Sequence, residues 1–213
     1  MKFTSLVPLT FLALTGASPC SQGPSDSTVT ITPEQIIAIA PKSESCDGAV
    51  DFVSECGTAE QAAPAVSEAF TKYGLTNKAE QAAVLGLMAM ESGEFRYNKN
   101  HWPEPGTVGK GTRNMQSVDF NKLYAASILE IADEFAKVQD QPGPVLDLLL
   151  QDPVLDYGSG AWFLTTQCNE TVRSGLQNNG EEGWKAFITG CVVTEADEAR
   201  RGYWSSAVTA LGA

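Results

Sequence analysis

From Thr32 onwards, segment after segment repeats its apolar residues every three or four positions, and this period constrains the fold more than any other feature. It is the spacing of amphipathic α-helices; strands would alternate with a period of two, and no strong pattern of that kind is visible. Thr32-Pro33-Glu34-Gln35 opens the first helix, with a Thr cap, Pro at the first helical position and Gln at the third. Thr58 begins a second, with Val66, Ala69, Phe70 and Tyr73 on one stripe, Pro64 as a point of kinking and Gly74 to end it. A third runs from near Thr76 to Glu91 or Ser92, where Gly93 can stop it.

An irregular stretch follows from Glu94 to Ser117, carrying three Gly and two Pro, with room for a short hairpin. Helical periodicity resumes over Val118–Val138. Pro142 and Pro144 mark a turn into Val145–Leu150, and further helices are expected at Leu155–Gln167, Thr171–Gln177, Glu182–Ile188 and Ala196–Leu211. The expected class is mainly α, with at most a small β-hairpin, in one domain over residues 32–213. Trp162, Tyr203 and Trp204 lie in helical patterns and read as core.

The start of the chain reads as a signal peptide over residues 1–20. Lys2 is followed by an apolar run from Leu6 to Leu14, broken only by Pro8 and Thr10, and then by small residues from Thr15 to Ser18. That run falls well short of the ~20 residues a spanning helix needs. Residues 21–31 are Ser/Thr/Pro/Gly-rich and read as a flexible leader. The expected location is therefore outside the cell, with no membrane partner.

Cysteine parity fits export. There are five, and cleavage just after Cys20 leaves Cys46, Cys56, Cys168 and Cys191, an even set suited to an oxidising compartment. Four allow three connectivities; the pairs nearest in sequence, Cys46–Cys56 and Cys168–Cys191, are favoured. A formal charge of −12 denies the chain the basic footprint that phosphate backbones demand, so nucleic acid is not an expected partner. Asn169-Glu170-Thr171 is an N-glycosylation acceptor pattern, meaningful in a eukaryotic host.

Several chemistries can be set aside. His101 is the one histidine, too few for a zinc site. Gly158-Ser159-Gly160 lacks the spacing of a nucleophile elbow and reads as a place of close helix packing. No phosphate-binding glycine loop is present, and no metal or organic cofactor is expected.

The carboxylates remain. Glu91 lies three residues after Met88 and four after Leu87, on the face that also carries Val84. A carboxyl group against Leu and Met, at the carbonyl end of a helix, is expected to hold its proton more tightly than usual. Such a group suits general acid catalysis. The alternative is a Glu91 that points outward or pairs with Arg96 or Arg113.

Residues 86–116, GLMAMESGEFRYNKNHWPEPGTVGKGTRNMQ, resemble the lysozyme-like superfamily, in particular goose-type lysozymes and soluble lytic transglycosylases. Glu91-Ser92-Gly93-Glu94-Phe95 is similar to their Glu-Ser-x-Phe string, shifted by one at Phe95. Gly111-Thr112-Arg113-Asn114-Met115-Gln116 is similar to their Gly-x-x-Gln turn, with extra residues inside it. The segment Tyr157-Gly158-Ser159-Gly160-Ala161-Trp162 looks like secreted fungal muramidases.

The resemblance implies a lysozyme-like helical domain and a secreted, monomeric glycoside hydrolase acting on a β-1,4-linked N-acetylhexosamine polymer, above all peptidoglycan. Glu91 would be the general acid. Glu104, or else Asp119, would hold the water that an inverting hydrolase needs. Tyr97, His101 and Trp102 would offer flat faces to sugar, and Asn98, Asn100, Arg113, Asn114 and Gln116 hydrogen bonds. Two alternatives keep the same stretch in use: lytic transglycosylation or chitin cleavage on the same fold, or a non-catalytic protein that binds glycan or a host protein.

Overall fold

Thr32 caps its helix as expected: its side chain accepts from the Gln35 N–H while the Gln35 side chain accepts from the Thr32 N–H. In the computed structural model, which describes residues 28–213, this is α1 (Pro33–Ile39). The same reciprocal box at Thr58 and Gln61 starts α2 (Ala59–Lys72), which runs through Pro64. Then come α3 (Lys78–Glu91), α4 (Val118–Ala126), α5 (Ala132–Val138), α6 (Pro142–Leu150), α7 (Pro153–Gln167), α8 (Glu170–Asn178), α9 (Gly180–Phe187) and α10 (Glu198–Leu211). A π-helical turn, Ile188–Val192, extends α9. The mainly α class is observed. Residues 99–116 form two isolated bridges, Lys99 with Gly111 and Gly111 with Gln116, in place of a hairpin of strands.

The centre is α3. From Glu80 to Ala89 every one of its residues is buried, as expected of a helix that is apolar nearly all round. α10 lies along one side of it, α7 and α8 pack on others, and α1 touches it while joining α10 to α2, which packs on α7. Gly86 is where α3 and α10 meet: a Cβ there would sit 2.8 Å from the Trp204 Cα. Gly160 plays the same part between α7 and the Val84 and Met88 side chains, which accounts for the small residues in that segment. Trp162 is buried in the core, and Tyr203 and Trp204 pack against it.

Some boundaries differ from expectation. The single helix anticipated over Val118–Val138 breaks at Ser127–Ile128. Ser127 turns its hydroxyl onto the Tyr124 carbonyl, and Ile128 adopts an extended conformation that buries its side chain while Leu129 stays exposed. α6 begins at Pro142, not Val145, because a proline at the first helical position fits without cost. The signal peptide and most of the leader lie outside the described residues. The leader's last residues are packed, contrary to the flexible reading: Val29 and Ile31 are buried, and their N–H groups donate to Thr71 and Ser67 of α2.

Among the described residues the two disulfides are the nearest-neighbour pairs, Cys46–Cys56 and Cys168–Cys191. Among the described residues, no helix is long and apolar enough to cross a membrane.

Candidate functional site

Glu91 is the last residue of α3, and the chain turns sharply after it. Ser92 bonds back to the Met88 carbonyl and accepts from the Phe95 N–H, while Gly93, Glu94 and Phe95 all take left-handed backbone angles. Such angles are strained for Glu94 and Phe95, and buried contacts hold them. The Phe95 carbonyl accepts from Gly57 and from the Arg113 guanidinium. The Glu94 carboxylate accepts from the Lys42 N–H and the Tyr203 hydroxyl.

Glu91 itself meets a cation. α3 and α10 run antiparallel past the Gly86 contact, which brings Glu91 opposite Arg200: the guanidinium donates to Glu91 Oε1 at 3.0 Å and to Asp197 Oδ2 at 2.7 Å. The expected surroundings of apolar side chains alone are thus corrected, and so is the proposed pairing with Arg96 or Arg113. Asp197 caps α10 and also accepts from the Arg200 N–H, so the guanidinium is anchored from its own helix.

This pair forms one side of a cleft of about 320 Å³. Leu87, Phe120, Phe163 and Val192 supply apolar walls, and Lys110, Asn114 and Gln116 supply polar ones. The Phe120 and Phe163 rings meet edge to face at 5.0 Å. The far side is the Gly111–Gln116 turn, closed by the Gly111 N–H on the Gln116 carbonyl.

Gln116 is the most informative residue of the cleft. It is 4% exposed. Its Nε2 donates to Asn121 Oδ1, and Asn121 uses its own Nδ2 on the carbonyls of Gly109 and Gln116. Those two carbonyls can only accept, so the orientation of both amides is fixed. Among the described residues Gln116 Oε1 is then a buried acceptor with no donor, and Asn114 Oδ1 and Arg200 Nε are also unpaired. Leaving one such group unsatisfied costs about 1–3 kcal/mol, which a ligand of matching polarity would recover.

The remaining expected site residues lie elsewhere. Arg113 is buried as a structural brace, bonded to Asp156 by its N–H and its guanidinium, with Asn98 Nδ2 on the same carboxylate. Asn100 braces its own loop, on the Trp102 carbonyl and the Thr107 N–H. His101 is held by both oxygens of Glu55, at 2.9 and 3.0 Å. Together with Tyr97 and Trp102 it belongs to an aromatic cluster that opens on a different cleft, and Glu104 goes with it. Asp119 is exposed on α4 and does not line the Glu91 cleft. The structure therefore joins Glu91 with Asn114 and Gln116 and separates them from Tyr97, His101, Trp102, Glu104 and Asp119. Arg200 carries no local sequence signal of this role, because its partner Glu91 lies 109 residues away. Asn169 caps α8 through its Oδ1 and is exposed.

No protein-family model matches the chain, and no solved structure shows significant similarity to it. One curated protein does. A Fusarium oxysporum (strain Fo5176) protein described as a bifunctional dioxygenase (DOX)-epoxy alcohol synthase (EAS) is 42% identical over 158 residues. The alignment covers 71% of this chain but 12% of that protein, so the chain spans about an eighth of the length of the relative it matches. The likeness overturns the expected function. The relative is described as an oxidative enzyme, which removes the support for a glycoside hydrolase of muramidase, lytic transglycosylase or chitinase type and for a polysaccharide partner. The geometry gives a physical reason in the same direction: among the described residues that line the cleft there is no second carboxylate, and Arg200 is ion-paired with one oxygen of Glu91.

Proposed function

We propose that this chain is a ligand-binding module whose Glu91–Arg200 cleft holds an oxygenated, largely apolar small molecule, of the epoxy alcohol type that gives the Fusarium relative its name. One observation carries the reading: Gln116, whose Oε1 is fixed in orientation and buried without a donor among the described residues, lines a cleft whose other walls include Leu87, Phe120 and Phe163. An alcohol hydroxyl would donate to that oxygen. Lys110 and the free Nε of Arg200 would donate to an epoxide or second alcohol oxygen, and the aliphatic part would lie on the apolar walls. The cleft's volume is at the lower end for small-molecule sites, suiting a short chain or one segment of a longer one.

Dioxygen chemistry draws on a redox metal or an organic cofactor. Among the described residues, no group of three or more His, Cys, Asp or Glu side chains is placed to hold a metal. His101 is bonded to Glu55, and Cys46, Cys56, Cys168 and Cys191 are in disulfides. These residues do not fit such a centre, so the role assigned to the chain is to hold a ligand and includes no oxidative step. Two disulfides suit a protein exported to an oxidising compartment.

Isothermal titration with an epoxy-octanol and with its methyl ether tests the proposal. The alcohol should bind and the ether should bind roughly tenfold more weakly, the loss of one buried hydrogen bond. Gln116→Met should abolish that difference. Equal affinity for alcohol and ether, or no binding of either, overturns the reading.

A further inference from the structure

The loop closed by Cys46–Cys56 and the segment around Trp102 build a second, separate cleft of about 690 Å³, lined by Asp51, Phe52, His101, Trp102, Glu104 and Pro105. Phe52 stacks on His101 with ring centroids 3.4 Å apart and planes nearly parallel. Trp102 stands almost perpendicular to both, at 6.3 Å from Phe52 and 5.6 Å from His101, and Tyr97 backs it at 5.0 Å. Glu55 fixes the His101 ring from behind, so this corner of rings is braced. Phe52 and Trp102 nevertheless remain 45% and 52% exposed. Rings of this size are costly to leave in water, and here they line a concavity.

The charge around the corner has one sign. Asp51 and Glu104 are both exposed, and neither has a hydrogen-bonding or ion-pair partner among the described residues. Among the described residues no lysine or arginine lines the cleft. Arg96, on the neighbouring turn, is committed to the Gly48 carbonyl, and Lys99 to Asp147. Perpendicular aromatic walls with carboxylates at the rim attract a bulky organic cation, because the ring faces and the carboxylates are both negative. A neutral apolar ligand would have no use for the carboxylates, and an anion would be repelled by them.

We infer that the Phe52–Trp102 corner is a binding site for a quaternary ammonium group, with Asp51 and Glu104 supplying the counter-charge. The site shares no residue with the Glu91 cleft and does not depend on what that cleft holds.

The test uses the whole folded protein and follows Trp fluorescence, to which Trp102 contributes the exposed ring. Choline is titrated against its neutral isostere dimethylbutanol. Choline should bind saturably, and the isostere at least tenfold more weakly. Asp51→Asn combined with Glu104→Gln should weaken choline roughly tenfold while leaving the isostere unchanged. Trp102→Leu should abolish choline binding when followed by calorimetry. A parallel arm with phosphatidylcholine vesicles separates the two sources: co-sedimentation that the Trp102→Leu change removes assigns the site to a lipid headgroup, and free choline binding without it assigns a soluble ligand. Equal affinity for choline and the isostere, or no saturable binding of choline and no vesicle binding, overturns the inference. Far-UV circular dichroism of each variant guards against loss of fold, and the Asp51/Glu104 double change, on the surface, keeps the test decisive if Trp102→Leu unfolds.

Discussion

Glu91 and Arg200 are joined by a 3.0 Å bond that ties the end of α3 to the beginning of α10 across 109 residues of sequence. The bond depends on how closely the two helices approach, and Gly86 sets that distance, since a Cβ there would meet the Trp204 backbone. Gly86→Ala should therefore destabilise the protein by about 1–3 kcal/mol, the usual penalty of overpacking, even though alanine is the better helix former. Chemical denaturation measures it. A stabilised Gly86→Ala protein would show that the helices can part without cost, and that Glu91 is not positioned by this contact.

Arg113 and Asp156 form a buried ion pair that braces the Gly111–Gln116 turn from outside the cleft, with both side chains 5% exposed. Arg113 also reaches the carbonyls of Phe95 and Glu55 and lies over the Tyr157 ring at 5.0 Å. Removing one member of a buried pair leaves the other charged and unpaired, which costs about 3–5 kcal/mol. Arg113→Met should fall in that range, and Arg113→Met with Asp156→Leu should recover part of the loss. Urea midpoints of the two variants decide the matter; a double variant no better than the single would assign the cost to the lost backbone bonds instead.

The Cys168–Cys191 bridge spans 23 residues and Cys46–Cys56 spans 10. Closing loops of those lengths in the unfolded chain is worth roughly 3 kcal/mol each, a little more for the longer. Replacing each pair by Ala should produce losses of that order. The second consequence differs between the two: without Cys46–Cys56, the loop that carries Asp51 and Phe52 is released, while without Cys168–Cys191 the Val192 wall of the Glu91 cleft is. Proteolysis with mass mapping should find the new cleavage near residue 50 in the first variant and near residue 192 in the second.

What could be read from the sequence was mostly local. The capping boxes at Thr32 and Thr58 announce their helices because every participant lies within four residues. The small residues at Gly158 and Gly160 signal close packing, and that is what they do. Glu91 and Gln116 lie in one contiguous stretch of sequence and line one cleft. The failures are long-range. Nothing beside Tyr97, His101 or Trp102 indicates that Glu55 captures the imidazole and turns that cluster away from Glu91. Arg113, expected to bond sugar or Glu91, is instead taken up by Asp156, 43 residues on. The Glu91 surroundings seemed apolar because Arg200 arrives from the far end of the chain.

Glu94 and Tyr203 make the stability of the domain depend on pH at both extremes. Burial pushes the Glu94 carboxyl up, but the Lys42 N–H, the Tyr203 hydroxyl and the Lys42 ammonium outweigh it, so the group titrates below its ordinary 4.5. A carboxylate held low in the folded state contributes stability that is complete above the unfolded value and is lost as pH falls through the folded one. Burial, together with the Glu94 charge, pushes the Tyr203 hydroxyl from 10.0 up to about 12. A group held high contributes stability that is complete below the unfolded value and is lost as pH rises from there through the folded one. Melting temperatures of the wild type should therefore decline below about pH 4.5 and again above about pH 10. Glu94→Gln should flatten the acidic decline, and Tyr203→Phe the alkaline one. Because one bond joins the two side chains, each variant should also soften the other's limb slightly; if the two limbs respond independently, the Tyr203 hydroxyl is not bonded to Glu94 in solution.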